Sequence, residues 1–281
     1  MIIVLGIIYS YVRQFSYSLV ASATCGGVFA ILVVTSSQYG FLASETGFAI
    51  AFSPRDVSDP DMFYTLLTSM YAHADPSHLI FNLLVLAFIG MIFEQRIGTR
   101  PFIILYLLCG LAGTLLFTAI KWDDPVLVVG ASGAISGVLG AFARLYPHER
   151  MTFVFLPLFQ IPLWVVVAGF LVLQLFFLSG QSNVAVEAHI GGLAAGLLLA
   201  PLVVKMPVRS RVRRMVSLSA LRRMATTPEL EAILRNIEGE EFPDVRSAWI
   251  EEFLSTAKCP QCGARLRVTR EAVMCERGHM L

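Results

Sequence analysis

Long apolar runs separated by short polar stretches fill the first 205 positions of the chain. A helix that crosses a bilayer needs about 20 mostly apolar residues, because the hydrocarbon core is about 30 Å thick and each residue rises about 1.5 Å. Six segments meet or approach that length: Tyr17–Ser37, Ser77–Phe93, Phe102–Ile120, Ser132–Tyr146, Phe153–Leu178 and Val184–Val204. The fourth is short for a span, which places its start below the outer surface in a protein-lined, wet cavity. Met1 to Val12 is also apolar, but as a helix it would rise only about 18 Å, and Arg13 interrupts it. We expect this stretch to lie at the interface. It has no positive charge ahead of its apolar run, the reverse of a signal peptide.

Composition agrees with this pattern. The hydrophobic fraction is 56% and the charged fraction 15%, with a mean hydropathy of +0.71, against roughly 45–50% and about 25% in soluble domains. A formal net charge of +1 conceals segregation, since charge is sparse before Lys205 and dense after Arg209. The expected organisation is an N-terminal interfacial segment (1–16), a six-span domain (17–205), a basic and helical cytoplasmic linker (206–257) and a small module (258–281). With six spans, Arg13, Arg96, Arg100, Arg144, Arg150, Lys205, Arg209, Arg211, Arg213 and Arg214 fall on one side. The alternate loops carry Glu45, Asp56, Asp59, Asp61, Asp75, Asp123 and Asp124 against Arg55 and Lys121. The positive-inside rule therefore predicts a multi-pass cell-membrane protein with both termini in the cytoplasm.

Ionisable groups in spans are costly, so each is a candidate for function. They are His73, His78, Glu94, Arg144 and His189, with the polar Asn82, Ser132 and Ser136. Sorted by depth, His73, His78, Asn82, Ser132 and His189 fall in the outer half of the membrane, while Glu94 and Arg144 fall at the cytoplasmic ends. Gly133 and Gly137 form one G-x-x-x-G pair and Gly192 and Gly196 another, a spacing that lets helix backbones touch in lipid. Ser132 and His189 on such helices could hydrogen-bond as nucleophile and base. No acidic residue is predicted at that depth, so the arrangement reads as a dyad. His78 and Asn82, on one helical face, and the Ser132 backbone N–H could supply oxyanion donors.

Each feature has a blander reading. Gly130 to Gly133 could be small-residue packing, His189 a structural polar contact, and His78 with Asn82 a buried hydrogen-bond pair. Their joint occurrence at matched depth favours chemistry. Ser136 is the rival nucleophile, one turn deeper than Ser132. Cys25 and Cys109, within apolar spans, read as packing residues.

In their order along the chain, His73-x4-His78-x3-Asn82, Gly130-Ala131-Ser132-Gly133 and Ala188-His189-Ile190-Gly191-Gly192 resemble the rhomboid family of intramembrane serine proteases. Leu66-Leu67-Thr68, Gly90-x3-Glu94 and Gly98 agree, and the resemblance covers about Tyr17 to Lys205. It implies an all-α polytopic membrane protein built on a six-helix bundle. It also implies Ser132 as nucleophile, His189 as base, His78 and Asn82 as oxyanion donors, and His73, Gly130 and Gly133 in support. Glu94 matches a structural carboxylate. Substrates would be transmembrane proteins, cut near the outer face without a cofactor. Two departures stand out: the first outer loop lacks the family's frequent Trp-Arg pair, and Ser136 occupies a site that often holds an aromatic side chain. The competing readings are a catalytically silent rhomboid-like protein that binds membrane clients, and a transporter or channel, for which no repeated halves are visible.

Past Met206 the arginines to Arg223 suit a stop-transfer signal or anionic lipid headgroups. Thr227-Pro228-Glu229 predicts a helix start, and a second short helix is expected after Pro243, with Trp249, Ile250 and Phe253 as its apolar face. Cys259-x2-Cys262-x12-Cys275-x3-His279 offers four ligands in two close pairs, as structural Zn²⁺ requires. Alternation across Ala264 to Val268 predicts strands, hence a small cytoplasmic zinc ribbon. Docking a cytoplasmic protein partner is the expected role. Arg265, Arg267 and Arg270 without an aromatic platform make nucleic acid the weaker reading.

Overall fold

In hydrocarbon no water is available to pair backbone N–H and C=O groups, so apolar runs of this kind must close their hydrogen bonds within helices. The computed structural model describes residues 1–36, 44–122, 124–153, 156–179, 184–204, 217–240, 243–268 and 273–280. Lys205, Arg209, Arg211, Arg213, Arg214, Asp123 and Arg270 lie outside the described residues. The chain divides into two units, Met1–Glu94 with Thr99–Lys205, and Gln95–Gly98 with Met206–Leu281.

In the first unit, α1 spans Ile2–Arg13 and α2 Tyr17–Thr35. They are followed by α3 at Pro76–Ile97, which belongs to this unit as far as Glu94, α4 at Thr99–Ile120, α5 at Ser132–Leu145, α6 at Leu163–Ser179 and α7 at Val186–Val204. Helices α2, α3, α4 and α7 are each long and apolar enough to cross a membrane. At 14 residues α5 is shorter, as the sequence led us to expect. The protein is a multi-pass membrane protein of the expected helical class.

The fifth span begins later than Phe153. Strands β1 (Arg150–Phe153) and β2 (Leu156–Pro162) form an antiparallel hairpin pairing Met151 with Ile161 and Thr152 with Gln160, and only then does α6 start. Pro162 explains the shift: it lacks an N–H and disfavours helical geometry in the residue before it. The first donors of α6 find partners in the preceding loop, Leu163 N–H on the Glu149 carbonyl at 2.9 Å and Trp164 N–H on the Pro147 carbonyl at 3.2 Å.

Polarity is arranged for lipid. Large apolar side chains such as Phe81, Val172, Phe176 and Leu198 face outward, whereas Asn82, Glu94, Thr114, Thr118, Ser136 and Gln174 are buried. At the centre, α5 and α7 touch through backbone. A Cβ on Gly192 would lie 1.9 Å from the Gly133 carbonyl oxygen, and one on Gly196 would lie 1.9 Å from that of Gly137. Helix α4 closes on the same pair, a Cβ on Gly113 falling 2.4 Å from the Ala188 carbonyl oxygen.

Glu94 ties α2 to α3. Its carboxylate accepts from Ser16 Oγ at 2.9 Å, Tyr17 N at 2.6 Å, Ser18 N at 2.8 Å, Ser18 Oγ at 2.7 Å and Thr99 Oγ1 at 2.9 Å. Those donors include the otherwise orphaned N–H groups at the start of α2. Nearby, Arg100 Nε donates to the Tyr11 carbonyl at 3.1 Å and its guanidinium lies 4.5 Å from the Tyr11 ring centroid. This fixes the end of α1 to the start of α4.

In the second unit, α8 (Leu218–Met224), α9 (Pro228–Gly239) and α10 (Pro243–Thr256) accompany strands β3 (Leu266–Val268) and β4 (Val273–Cys275). Thr227 caps α9, its side chain accepting from Leu230 N at 3.3 Å. Leu221, Ile233, Ile237, Ile250, Phe253 and Val273 share one apolar cluster, so helices and strands of this unit have a common core.

Candidate functional site

Asp75, Pro76 and Ser77 start α3: Asp75 is the N-cap, accepting from His78 N at 2.9 Å, and Pro76 takes the first position, where its missing N–H does no harm. The Ser77 hydroxyl, and then the His78 N–H, hold the Asp75 carboxyl below its usual range. This cap sets the turn that carries His78. Asn82 follows one turn later, its Nδ2 donating to the His78 carbonyl at 2.8 Å. Below it the helix widens into a π turn over Leu86–Gly90, a distortion frequent at functional sites.

Ser132 opens α5 and His189 lies in the first turn of α7. The close glycine packing brings them together, His189 Nε2 standing 2.7 Å from Ser132 Oγ. Gly130, at φ +124°, holds a backbone conformation that favours glycine. A Cβ there would meet His78 Nε2 at 2.7 Å and Ser132 Oγ at 3.5 Å. The imidazole of His78 and the hydroxyl of Ser132 therefore flank the same bare glycine. Gly130 is itself anchored by its N–H on the Ser69 carbonyl at 2.9 Å. His73 is buried and meets His78 edge-on, with ring centroids 5.0 Å apart. Gly133 lies against Ala188, the residue before His189.

Ser136 does not compete for the histidine, because its Oγ donates to the Ser132 carbonyl at 2.7 Å. A cavity of about 400 Å³ lies beside the pair, lined by Asn82, Ser132, Ser136, Phe170, Leu173 and His189 among others. A second, about 20 Å³, is bordered by Ser69, Thr114, Gly130 and Ser132, enough room for one water. Among the described residues no side chain caps α5, which leaves the N–H groups of its first turn free to stabilise negative charge.

One neighbour escaped the sequence reading. Gln174 Oε1 lies 2.9 Å from His189 Nδ1, and Phe170, one turn earlier on α6, has its ring 6.1 Å from the imidazole. The available signal was a lone amide in the otherwise apolar run from Leu163 to Leu178.

In the second unit Cys259, Cys262, Cys275 and His279 converge, their ligand atoms all within 4.8 Å of one another. Cys262 Sγ is 3.6 Å from Cys275 Sγ, and His279 Nδ1 is 3.3 Å from Cys262 Sγ, 3.5 Å from Cys275 Sγ and 3.7 Å from Cys259 Sγ. A tetrahedron with zinc–ligand bonds of about 2.0–2.3 Å has edges of about 3.5–3.8 Å, so the donor set fits that metal. Gly263, at φ +70°, turns the chain just after Cys262, and Gly278, at φ +86°, turns it between Cys275 and His279.

Residues 60–206, just over half of the chain, match the Rhomboid domain. The chain is 31% identical over 161 residues to the rhomboid protease GluP of Bacillus subtilis, covering 57% of this chain and 30% of that protein. It is 30% identical over 138 residues to the rhomboid-like protease 3 of Toxoplasma gondii, covering 48% and 50%. To the mitochondrial rhomboid protein 1 of Saccharomyces cerevisiae it is 30% identical over 161 residues, covering 54% and 45%. The matched region thus spans about a third to a half of these relatives.

Proposed function

The chain belongs to the rhomboid family, and from that premise we propose that it is an intramembrane serine endopeptidase in which Ser132 is the nucleophile and His189 the general base. The 2.7 Å contact between His189 Nε2 and Ser132 Oγ carries this reading. The imidazole takes the hydroxyl proton as Oγ attacks a substrate carbonyl, then returns it to the leaving amine. His78, Asn82 and the N–H groups opening α5 stabilise the oxyanion, with His73 supporting His78. A water from the small cavity bordering Ser132 then releases the acyl group.

Substrates are transmembrane segments of other membrane proteins, reached from the lipid side through the larger cavity. Both termini are cytoplasmic, so the serine and histidine lie in the outer half of the bilayer and the cut falls near the outer face. Segments that unwind easily are preferred, because a helix shields its carbonyls. The Cys259, Cys262, Cys275 and His279 cluster holds a structural Zn²⁺, whose closed ligand set leaves no catalytic position, in a tail that docks a cytoplasmic protein.

Labelling with a fluorophosphonate probe tests the central assignment. The full chain should be labelled, and Ser132→Ala and His189→Ala should each lose labelling together with cleavage of a transmembrane substrate, falling by up to about a million-fold as in other serine hydrolases. Undiminished labelling of Ser132→Ala would falsify the nucleophile assignment. A chain that binds membrane segments but is never labelled would be a silent, client-binding relative.

A further inference from the structure

The base of an acyl-transfer site must present a bare nitrogen to the nucleophile, and a neutral imidazole has two tautomers, only one of which does so at Nε2. We propose that Gln174 is the positioning residue that selects this tautomer, making the site a Ser132–His189–Gln174 relay with an uncharged third member. The proposal rests on the reading of Ser132 and His189 as nucleophile and base.

The contacts at the two ring nitrogens support this assignment. Gln174 Oε1 sits 2.9 Å from His189 Nδ1, and a carbonyl oxygen only accepts, so the proton of the neutral ring is on Nδ1. Nε2 is then unprotonated where it meets Ser132 Oγ at 2.7 Å. Ser136, one turn along α5 from the nucleophile, gives its hydroxyl proton to the Ser132 carbonyl, while the ring nitrogens of His189 meet Gln174 and Ser132.

Gln174 is only 3% exposed, and a buried amide in an apolar span is unfavourable without a partner. The histidine is that partner. Phe170, four residues earlier and so on the same face of α6, lies against the ring and limits its rotation. An amide also suits this depth better than a carboxylate: it provides the acceptor without carrying a charge into the bilayer.

A pair of substitutions separates this role from packing. In the full chain in detergent, Gln174→Leu keeps most of the volume and removes the acceptor, whereas Gln174→Glu keeps an acceptor oxygen in either protonation state. Gln174→Leu should lower kcat about tenfold or more, with KM within about twofold, and slow fluorophosphonate labelling in proportion. Gln174→Glu should retain most of the activity.

The reverse order, an active Leu variant and an inactive Glu variant, assigns Gln174 to packing and overturns the proposal. Ser132→Ala run in parallel keeps the two readings apart: if it stays active, the nucleophile assignment has failed and the relay falls with it. Should Gln174→Leu fail to fold, nitrogen-15 spectra of the unaltered chain decide, with His189 assigned through His189→Ala. A neutral ring protonated at Nδ1 is expected, and one protonated at Nε2 overturns the proposal.

Discussion

Asn82 offers two amide hydrogens, one of which is taken by the His78 carbonyl at 2.8 Å, leaving the other for a substrate oxygen in the adjoining cavity. His78 reaches the same space because Gly130 has no side chain to block it. Deleting one oxyanion donor typically lowers turnover about 10²–10³-fold, so His78→Ala and Asn82→Ala should each slow cleavage while Ser132 remains labelled at a reduced rate. Unchanged turnover in both variants would remove them from the machinery. Glu94 works differently. Five donors converge on its carboxylate, and Glu94→Gln turns an NH₂ group against some of them. A loss of about 2–3 kcal/mol is expected, read as a lowered unfolding midpoint in detergent. An unshifted midpoint would show that the cluster contributes nothing to the fold.

Contact between two helix backbones is what places Ser132 against His189. Gly192 and Gly196 meet carbonyl oxygens of Gly133 and Gly137 at separations that admit no Cβ. The carbonyl is part of the opposing helix and cannot rotate away, so an added methyl must push α5 from α7. Overpacking of this kind destabilises by about 1–3 kcal/mol, and the functional loss should be larger, because a shift of about 1 Å in a reacting pair can lower the rate about 10²-fold. Gly192→Ala should therefore remain foldable yet lose most fluorophosphonate labelling. Labelling at the original rate would mean that the helices relax without separating the serine and histidine.

At the scale of the whole chain, two units with different chemistry follow one another. The first buries its polar groups and turns apolar side chains outward, as lipid demands. The second has a conventional apolar core shared by α8, α9, α10 and the strands, beside four Cys and His side chains that could hold a metal ion. Metal should supply much of the folding energy of so small a ribbon. Purified protein should contain about one zinc per chain, and Cys259→Ser with Cys262→Ser should lose it while cleavage of a generic transmembrane substrate in detergent persists. Loss of cleavage in that double variant, with the helical unit still folded, would make the tail part of the catalytic apparatus.

The sequence by itself determined the membrane class, because long apolar runs can satisfy their backbone in hydrocarbon by forming helices, and most of the runs reach the length a span needs. It also made Ser132, His189, His78 and Asn82 candidates, since polar groups inside spans are costly, and the spacing of the cysteines and His279 made those four residues candidate metal ligands. Helix ends were less legible: α6 starts at Leu163 because Pro162 breaks a run whose hydropathy alone continues from Phe153. Tertiary structure alone decided which partners meet. Gln174 is one polar residue in an apolar helix and carries no motif, and nothing local couples it to His189, 15 residues away on the next helix. Only the packing of α6 on α7 sets that amide against Nδ1, and only the bare backbone contact of α5 with α7 brings His189 to hydrogen-bonding distance of Ser132.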